Sequence, residues 1–245
     1  MSHRTAARKG KKDTKRERSQ RSRGPRRMRG DWERMEIGPN VESATPEAVL
    51  RALTGLPDDL EFDELADDLV PIFPRLRPWP DTGSEPVRVV LPPGLSVGFG
   101  VDIGPAFISV DEGLARRWGH SPLDLTTRAL TNLRSRAALV RPRDVVREHI
   151  DGVPVRALQT GLGCASTLVL IPDELRRILG AEPSCVIAPM RDLLMAFPAD
   201  ADRDLVAYVR DEIAAQDPNA LALEAFVVDA DSIRCEALGT RRFDA

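Results

Sequence analysis

The sequence predicts an α+β fold. A single domain with a mostly antiparallel sheet, helices packed on one side of it, spans about residues 42–240, behind a disordered basic N-terminal tail over residues 1–41 and ahead of a short C-terminal end at 241–245. Three observations predict this. Most strand-like runs are joined by connections of hairpin length, which make neighbouring strands antiparallel; Asp151-Gly152 is the clearest two-residue signal. Between the strands lie helical stretches with their own start and stop residues, as at Ser121-Pro122-Leu123-Asp124. Charge also divides the chain: residues 1–30 hold all four lysines, nine arginines and two acids, whereas the other 215 residues hold 22 arginines and 36 acids, so the formal −3 is a +11 tail on a −14 body. Residues 1–30 contain no Leu, Ile, Val, Phe, Trp or Tyr, so they bury too little apolar surface to offset the entropy of ordering.

Order is expected to begin at Thr45-Pro46-Glu47: Thr caps a helix, Pro suits its first position and Glu favours the positive end of its dipole. That helix ends near Gly55. Phe62, Leu65, Leu69 and Ile72 step by three, four and three, which predicts one apolar face of a second helix, with the seven acids between 58 and 68 mainly opposite. Pro71, Pro74, Pro78, Pro80 and Pro86 then enforce an extended connection. Residues 87–91 read as a strand ended by Pro92-Pro93-Gly94, and 97–102 with 106–110 as a hairpin or meander. Asp111 can cap a short helix stopped by Gly119, with Leu114 and Trp118 one turn apart. The helix opening at Ser121 is expected to bury Leu123, Leu130, Leu133 and Ala137. Residues 145–150 and 153–159 flank Asp151-Gly152. Residues 168–171 suit either strand or helix, and 172–179 are helical up to Gly180. Strands at 185–188 and 193–197 flank Pro189-Met190-Arg191-Asp192. A helix follows over 202–216, and strands at 223–228 and 233–238 pair across Asp229-Ala230-Asp231-Ser232.

Composition narrows the function classes. One Tyr, three Trp and seven Phe leave the core to Leu, Val, Ile and Ala. No apolar run has the length of a membrane span, and the charged N-terminus lacks the apolar stretch of a secretory signal. Three cysteines, odd in number and far apart, fit a reducing cytoplasm and argue against a disulfide framework or a zinc site. The expectation is a cytoplasmic protein with no cofactor and no metal.

Each polar motif has a chemical and a structural reading. Cys164, in Gly161-Leu162-Gly163-Cys164-Ala165-Ser166, is a nucleophile if His149 is its base; otherwise it packs as a small apolar residue in a tight turn, the preferred reading. Cys185 and Cys235 are expected in the core. His120 falls between two helices and His149 on a strand with solvated neighbours, while His3 lies in the tail; no pair has metal-ligand spacing. Asp200-Ala201-Asp202-Arg203-Asp204 opens like a calcium loop but has Leu205 where that loop needs Gly and Asp211 where it needs Glu, so it reads as a helix cap. Gly98-Phe99-Gly100 and Gly161-Leu162-Gly163 match neither phosphate-loop pattern and read as turn or bulge glycines. Arg191 at a hairpin tip can grip a carboxylate or phosphate, with Asp192 beside it; the preferred alternative is a turn in which Asp192 bonds local backbone and Arg191 is solvated. In the tail, Arg8, Lys9, Lys11, Lys12, Lys15, Arg16, Arg18, Arg21, Arg23, Arg26, Arg27 and Arg29 form a polyanion-binding candidate without aromatics, so any nucleic-acid contact there is weak and non-specific.

Several segments together resemble one family. They are Phe107-Ile108-Ser109-Val110-Asp111-Glu112 running into Leu114-Ala115-Arg116-Arg117-Trp118-Gly119, the helix from Ser121 to Arg134, and Cys164-Ala165-Ser166-Thr167-Leu168-Val169-Leu170-Ile171-Pro172. Val186-Ile187-Ala188-Pro189-Met190-Arg191-Asp192-Leu193-Leu194 is the most specific, and the acidic stretch entering Leu69-Val70-Pro71-Ile72 adds to it. Over about residues 60–240 the chain resembles the YtpQ-like family of bacterial proteins, whose biochemical role is not established. The resemblance implies a small cytoplasmic α+β protein and transfers no active site. Three functions follow as expectations: a non-catalytic binding or regulatory protein with an unknown protein partner, a nucleic-acid-associated protein anchored by its tail, and a hydrolase using Cys164.

Overall fold

The computed structural model describes residues 46–54, 61–76, 85–104, 107–217 and 220–238; the basic tail, Thr45 and the C-terminal end lie outside them. Helix α1 (Pro46–Thr54) starts at its expected proline. The expected second helix is cut short. Only α2 (Phe62–Leu65) forms, followed by a 3-10 turn over Ala66–Asp68 and then strand β1 (Leu69–Ile72). Pro71 explains the break: it has no N–H for a helix and disfavours helical backbone at Val70. As an outer strand, β1 can accommodate that missing donor.

In the first sheet β3 (Leu95–Asp102) is central. β1 lies along one side, from Leu69 opposite Val101 to Ile72 opposite Gly98. β2 (Arg88–Leu91) and β4 (Phe107–Ser109) pair antiparallel with β3 as well. Strand alternation buries Val97, Phe99 and Val101 toward α4 (Pro122–Leu139), where they meet Leu125, Ala129, Leu133 and Ala137. Gly98 and Gly100 are therefore mid-strand residues, not turn glycines. A Cβ at Gly100 would stand 3.1 Å from Ile72 Cγ2 and 3.3 Å from Phe107 Cδ1, so the missing side chain lets these two pack across the strand.

The caps form as read. Asp111 accepts from Leu114 N at 2.7 Å to open α3 (Glu112–Trp118), which ends at Gly119 with φ +70°. Ser121 and Asp124 make a reciprocal capping box on α4. Leu123, expected in the buried stripe, is 73% exposed. The stripe instead runs Leu125, Ala129, Leu133, Ala137 at strict four-residue spacing, and Leu123 falls on its flank. Buried Asn132 donates to Ala66 O at 2.7 Å and Leu69 O at 2.8 Å, tying α4 to the start of β1.

The second sheet holds six antiparallel strands in the order β10-β9-β7-β8-β6-β5. These are β5 (Val146–Ile150), β6 (Val153–Leu158), β7 (Ser184–Met190), β8 (Leu193–Pro198), β9 (Ala225–Val228) and β10 (Ile233–Glu236). Asp151 and Gly152 turn β5 into β6 with φ +54° and +81°, positive at both positions as a type I′ turn requires. The ambiguous run before Pro172 is a 3-10 segment, Ser166–Leu170, feeding α5 (Pro172–Leu179). Leu158, Val186, Leu194 and Phe226 pack against that segment, α5 and the end of α4. On the opposite face Val155, Cys185, Ile187 and Phe197 lie under α6 (Arg203–Gln216). Helices thus cover both faces of this sheet rather than one, because β7 is apolar and buried at successive positions from Cys185 to Ala188. Cys185 is in the core as expected. Cys235 is not: it sits exposed on the outermost strand β10.

Three residues join the two sheets. Leu76 N donates to Ala220 O at 2.7 Å and Ala222 N to Pro74 O at 3.0 Å, while Leu221 N donates to Pro189 O at 2.9 Å. Residues 220–222 therefore bond to the extension of β1 on one side and to the end of β7 on the other. No helix among the described residues is long and apolar enough to cross a membrane.

Candidate functional site

Where that seam meets the turn between β7 and β8, several of the singled-out residues converge. The turn itself is only Arg191-Asp192, closed by Met190 opposite Leu193, with a register shift between Ile187 and Met190. Asp192 does not bond its own turn. Its Oδ1 accepts from Thr160 Oγ1 and from the amides of Cys164 at 3.1 Å and Ala165 at 3.2 Å, and its Oδ2 accepts from Gly161 N at 2.7 Å. Thr160 Oγ1 in turn accepts from Leu162 N at 3.1 Å, and Ser166 N donates to Arg191 O at 3.0 Å. Gly161 and Gly163, at φ +69° and +65°, curl the loop so that its amides point inward. Backbone concavities of this kind bind anions. Here the chain's own carboxylate fills the place that a phosphate would take.

Arg191 is held differently. Its guanidinium lies over the Phe107 ring, 3.8 Å from the centroid, and is half-buried there rather than extended into solvent as the turn reading expected. Burial, with Arg75 alongside, pulls its pKa down to about 10, while Asp102, Asp192 and Asp217 act the other way; it remains a cation at neutral pH. It donates no hydrogen bond to any described residue. The neighbouring Arg136 behaves as buried arginines usually do: it donates to Asp102 Oδ2 at 2.5 Å and Leu162 O at 3.1 Å. Asp102 also accepts from Gly104 N at 2.9 Å. Gly163 completes the corner, since a Cβ there would stand 3.0 Å from Phe107 Cζ. Gly163→Ala combines that clash with a left-handed backbone and is expected to cost about 2 kcal/mol, read as a lowered midpoint in urea unfolding.

Cys164 and His149 are not brought together. The thiol is buried, 3.7 Å from Thr160 Oγ1, and burial pushes its pKa up to about 11; Thr160 and Arg136 pull it down, Asp192 and Asp102 up. His149 stands exposed on the outermost strand β5, opposite Pro154, and is not among the groups acting on that thiol. Cys164 is expected to alkylate far more slowly than exposed Cys235 at pH 7.5, followed by mass spectrometry of labelled peptides. The neutral thiol's contribution to stability is complete below its ordinary value of 9.0 and is lost as pH rises through about 11.

The remaining candidates have local roles. Asp202 caps α6 by accepting from Asp204 N at 2.9 Å. His120 stacks on Phe62 at a centroid distance of 3.8 Å. Among the described residues no cluster of His, Cys, Asp and Glu is arranged to hold a metal ion. The basic tail, from Arg8 to Arg29, lies outside the described residues. Sequence reading missed Phe107, Arg136, Asp102, Thr160 and Arg75 as parts of this site. No family model, curated protein or solved structure matches this chain.

Proposed function

We propose that this protein works by binding a partner rather than by catalysis, that the corner around Arg191 is its contact surface, and that it is a cytoplasmic protein of the YtpQ-like kind. One observation carries the reading: a half-buried arginine cation is held over Phe107, beside a loop locked by Asp192, and donates to no described protein group. Such placement is costly for stability and useful for recognition. The hydrolase reading has no comparable support, because the Cys164 thiol is protonated at neutral pH and faces Thr160 rather than a histidine. Affinity purification with full-length protein, a residue 40–245 form and full-length Arg191→Glu tests it, with nuclease treatment throughout. The same partner should come down with the first two and be lost with the third. A partner that disappears with nuclease or with the tail overturns the reading.

That outcome would favour the second reading, in which the tail anchors the protein on nucleic acid. Its support is the +11 charge of residues 1–30 against the acidic remainder.

A further inference from the structure

We infer that the Arg191 corner is a binding site for an oxyanion, the carboxylate or phosphate group of a ligand, gripped by the edge of the Arg191 guanidinium while its face rests on Phe107. The inference rests on the binding reading above and names the chemistry of what is bound.

Four other half-buried arginines are held differently from Arg191. Arg136 donates to Asp102 and Leu162 O, Arg156 to Leu179 O and Ser184 Oγ, Arg176 to Asp229 O, and Arg203 to Glu236 and two backbone carbonyls. Each offsets the loss of water with protein acceptors. Arg191 has the ring contact and no protein acceptor among the described residues. A ring contact takes the face of the guanidinium, which carries no hydrogens; the N–H donors lie in its plane and stay available.

Two of the nearby acids are engaged elsewhere. Asp192 already accepts four hydrogen bonds from the 160–165 loop, and Asp102 is committed to Arg136 and Gly104 N. Arg75, set beside the seam by the bridge between Arg75 and Leu221, adds a second positive charge that disfavours the first. Asp217 also favours the cations of Arg191 and Arg75, so the corner holds acids as well as arginines, and of these Asp192 and Asp102 have their oxygens committed to other donors. The corner is also preorganised: Phe107 and Gly163 fix the side chain's position, so a ligand need not order it. Carboxylate and phosphate both fit an arginine fork with two parallel hydrogen bonds.

The test uses full-length protein, titrated by calorimetry and by amide NMR with inorganic phosphate, with succinate, and with sodium chloride at matched ionic strength. The tail is present in every sample, so comparison with Arg191→Gln separates the corner from it. We expect saturable binding of phosphate or succinate with a dissociation constant on the order of 1 mM, with shifts at the Gly161 and Gly163 amides and no such response to chloride. Arg191→Gln should weaken it at least tenfold, and its ligand-free melting temperature should match or exceed the parent's, because a cation beside Arg75 is gone. Arg191→Lys keeps the charge without the fork and should bind with intermediate affinity. A response to phosphate alone or succinate alone assigns the source of the oxyanion. Equal binding by Arg191→Gln, or no response beyond chloride, overturns the inference. If neither anion binds but Arg191→Glu still loses the captured partner, the oxyanion assignment falls and the binding reading stands; loss of neither overturns both.

Discussion

Replacing Asp192 with alanine should unfasten the 160–165 loop and destabilise the fold by about 4 kcal/mol. One carboxylate satisfies Thr160 Oγ1 and three amides, and two of those amides, on Cys164 and Ala165, belong to buried residues. Hydrogen bonds to a charged acceptor contribute about 1.5–3 kcal/mol each, but four sharing one acceptor do not add, and the freed amides also lose their only anion. For a chain of this size that loss corresponds to roughly 10 °C in melting temperature. Asp192→Asn keeps an acceptor oxygen while turning an amide N–H₂ toward donors, so about half the loss is expected. Thermal melts and timed alkylation of Cys164 check the prediction together, because an unfastened loop also exposes the thiol. A melting temperature for Asp192→Ala within about 2 °C of the parent would show that the loop is held by its glycines and its packing instead.

A larger effect, in affinity rather than stability, is expected from the tail. Full-length protein should bind duplex DNA without sequence preference, and a residue 40–245 form should not bind it. Thirteen Lys and Arg residues lie between positions 4 and 29. Each phosphate they neutralise releases counterions, so log affinity should fall linearly with log salt, by about 10³–10⁵ between 50 and 200 mM. At physiological salt the dissociation constant should be roughly micromolar or weaker. Titrations of labelled duplex at several salt concentrations decide this. Binding retained by the truncated form would reveal a groove on the acidic body; no binding by the full chain at low salt would mean that the body itself occupies the tail.

Local signals in the sequence were legible wherever local chemistry decides the outcome. The Ser121–Asp124 capping box, the Asp151-Gly152 turn and the Asp111 cap are all short-range, and all formed as read. The run from Phe62 to Ile72 misled because its end, Leu69–Ile72, is a continuous apolar stretch that periodicity cannot assign to helix or strand; Pro71 was the residue that broke the tie. The site was half legible. Cys164, Arg191, Asp192, Gly161 and Gly163 each drew notice, but their meeting depends on strands that are not consecutive. β6 pairs with β8 across a long insertion, with Leu158 opposite Leu194. Continuing that register two residues sets Thr160 opposite Asp192, and the carboxylate then faces the whole loop. No periodicity within either segment encodes that pairing. Phe107 was missed for a similar reason: it comes from the other sheet, and only the seam brings it under Arg191.

The three residues at 220–222 also govern how the molecule comes apart. Their amides and carbonyls bond to both sheets at once, so the sheets cannot separate without breaking them. The core that runs from Val97 to Val186 and Phe226 already spans both sheets, and these backbone bonds reinforce that coupling into one cooperative unit. The amides of Leu76, Leu221 and Ala222 should exchange with deuterium only when the whole chain opens, at the same free energy as the centre of β7, although they sit in connecting segments rather than in named strands.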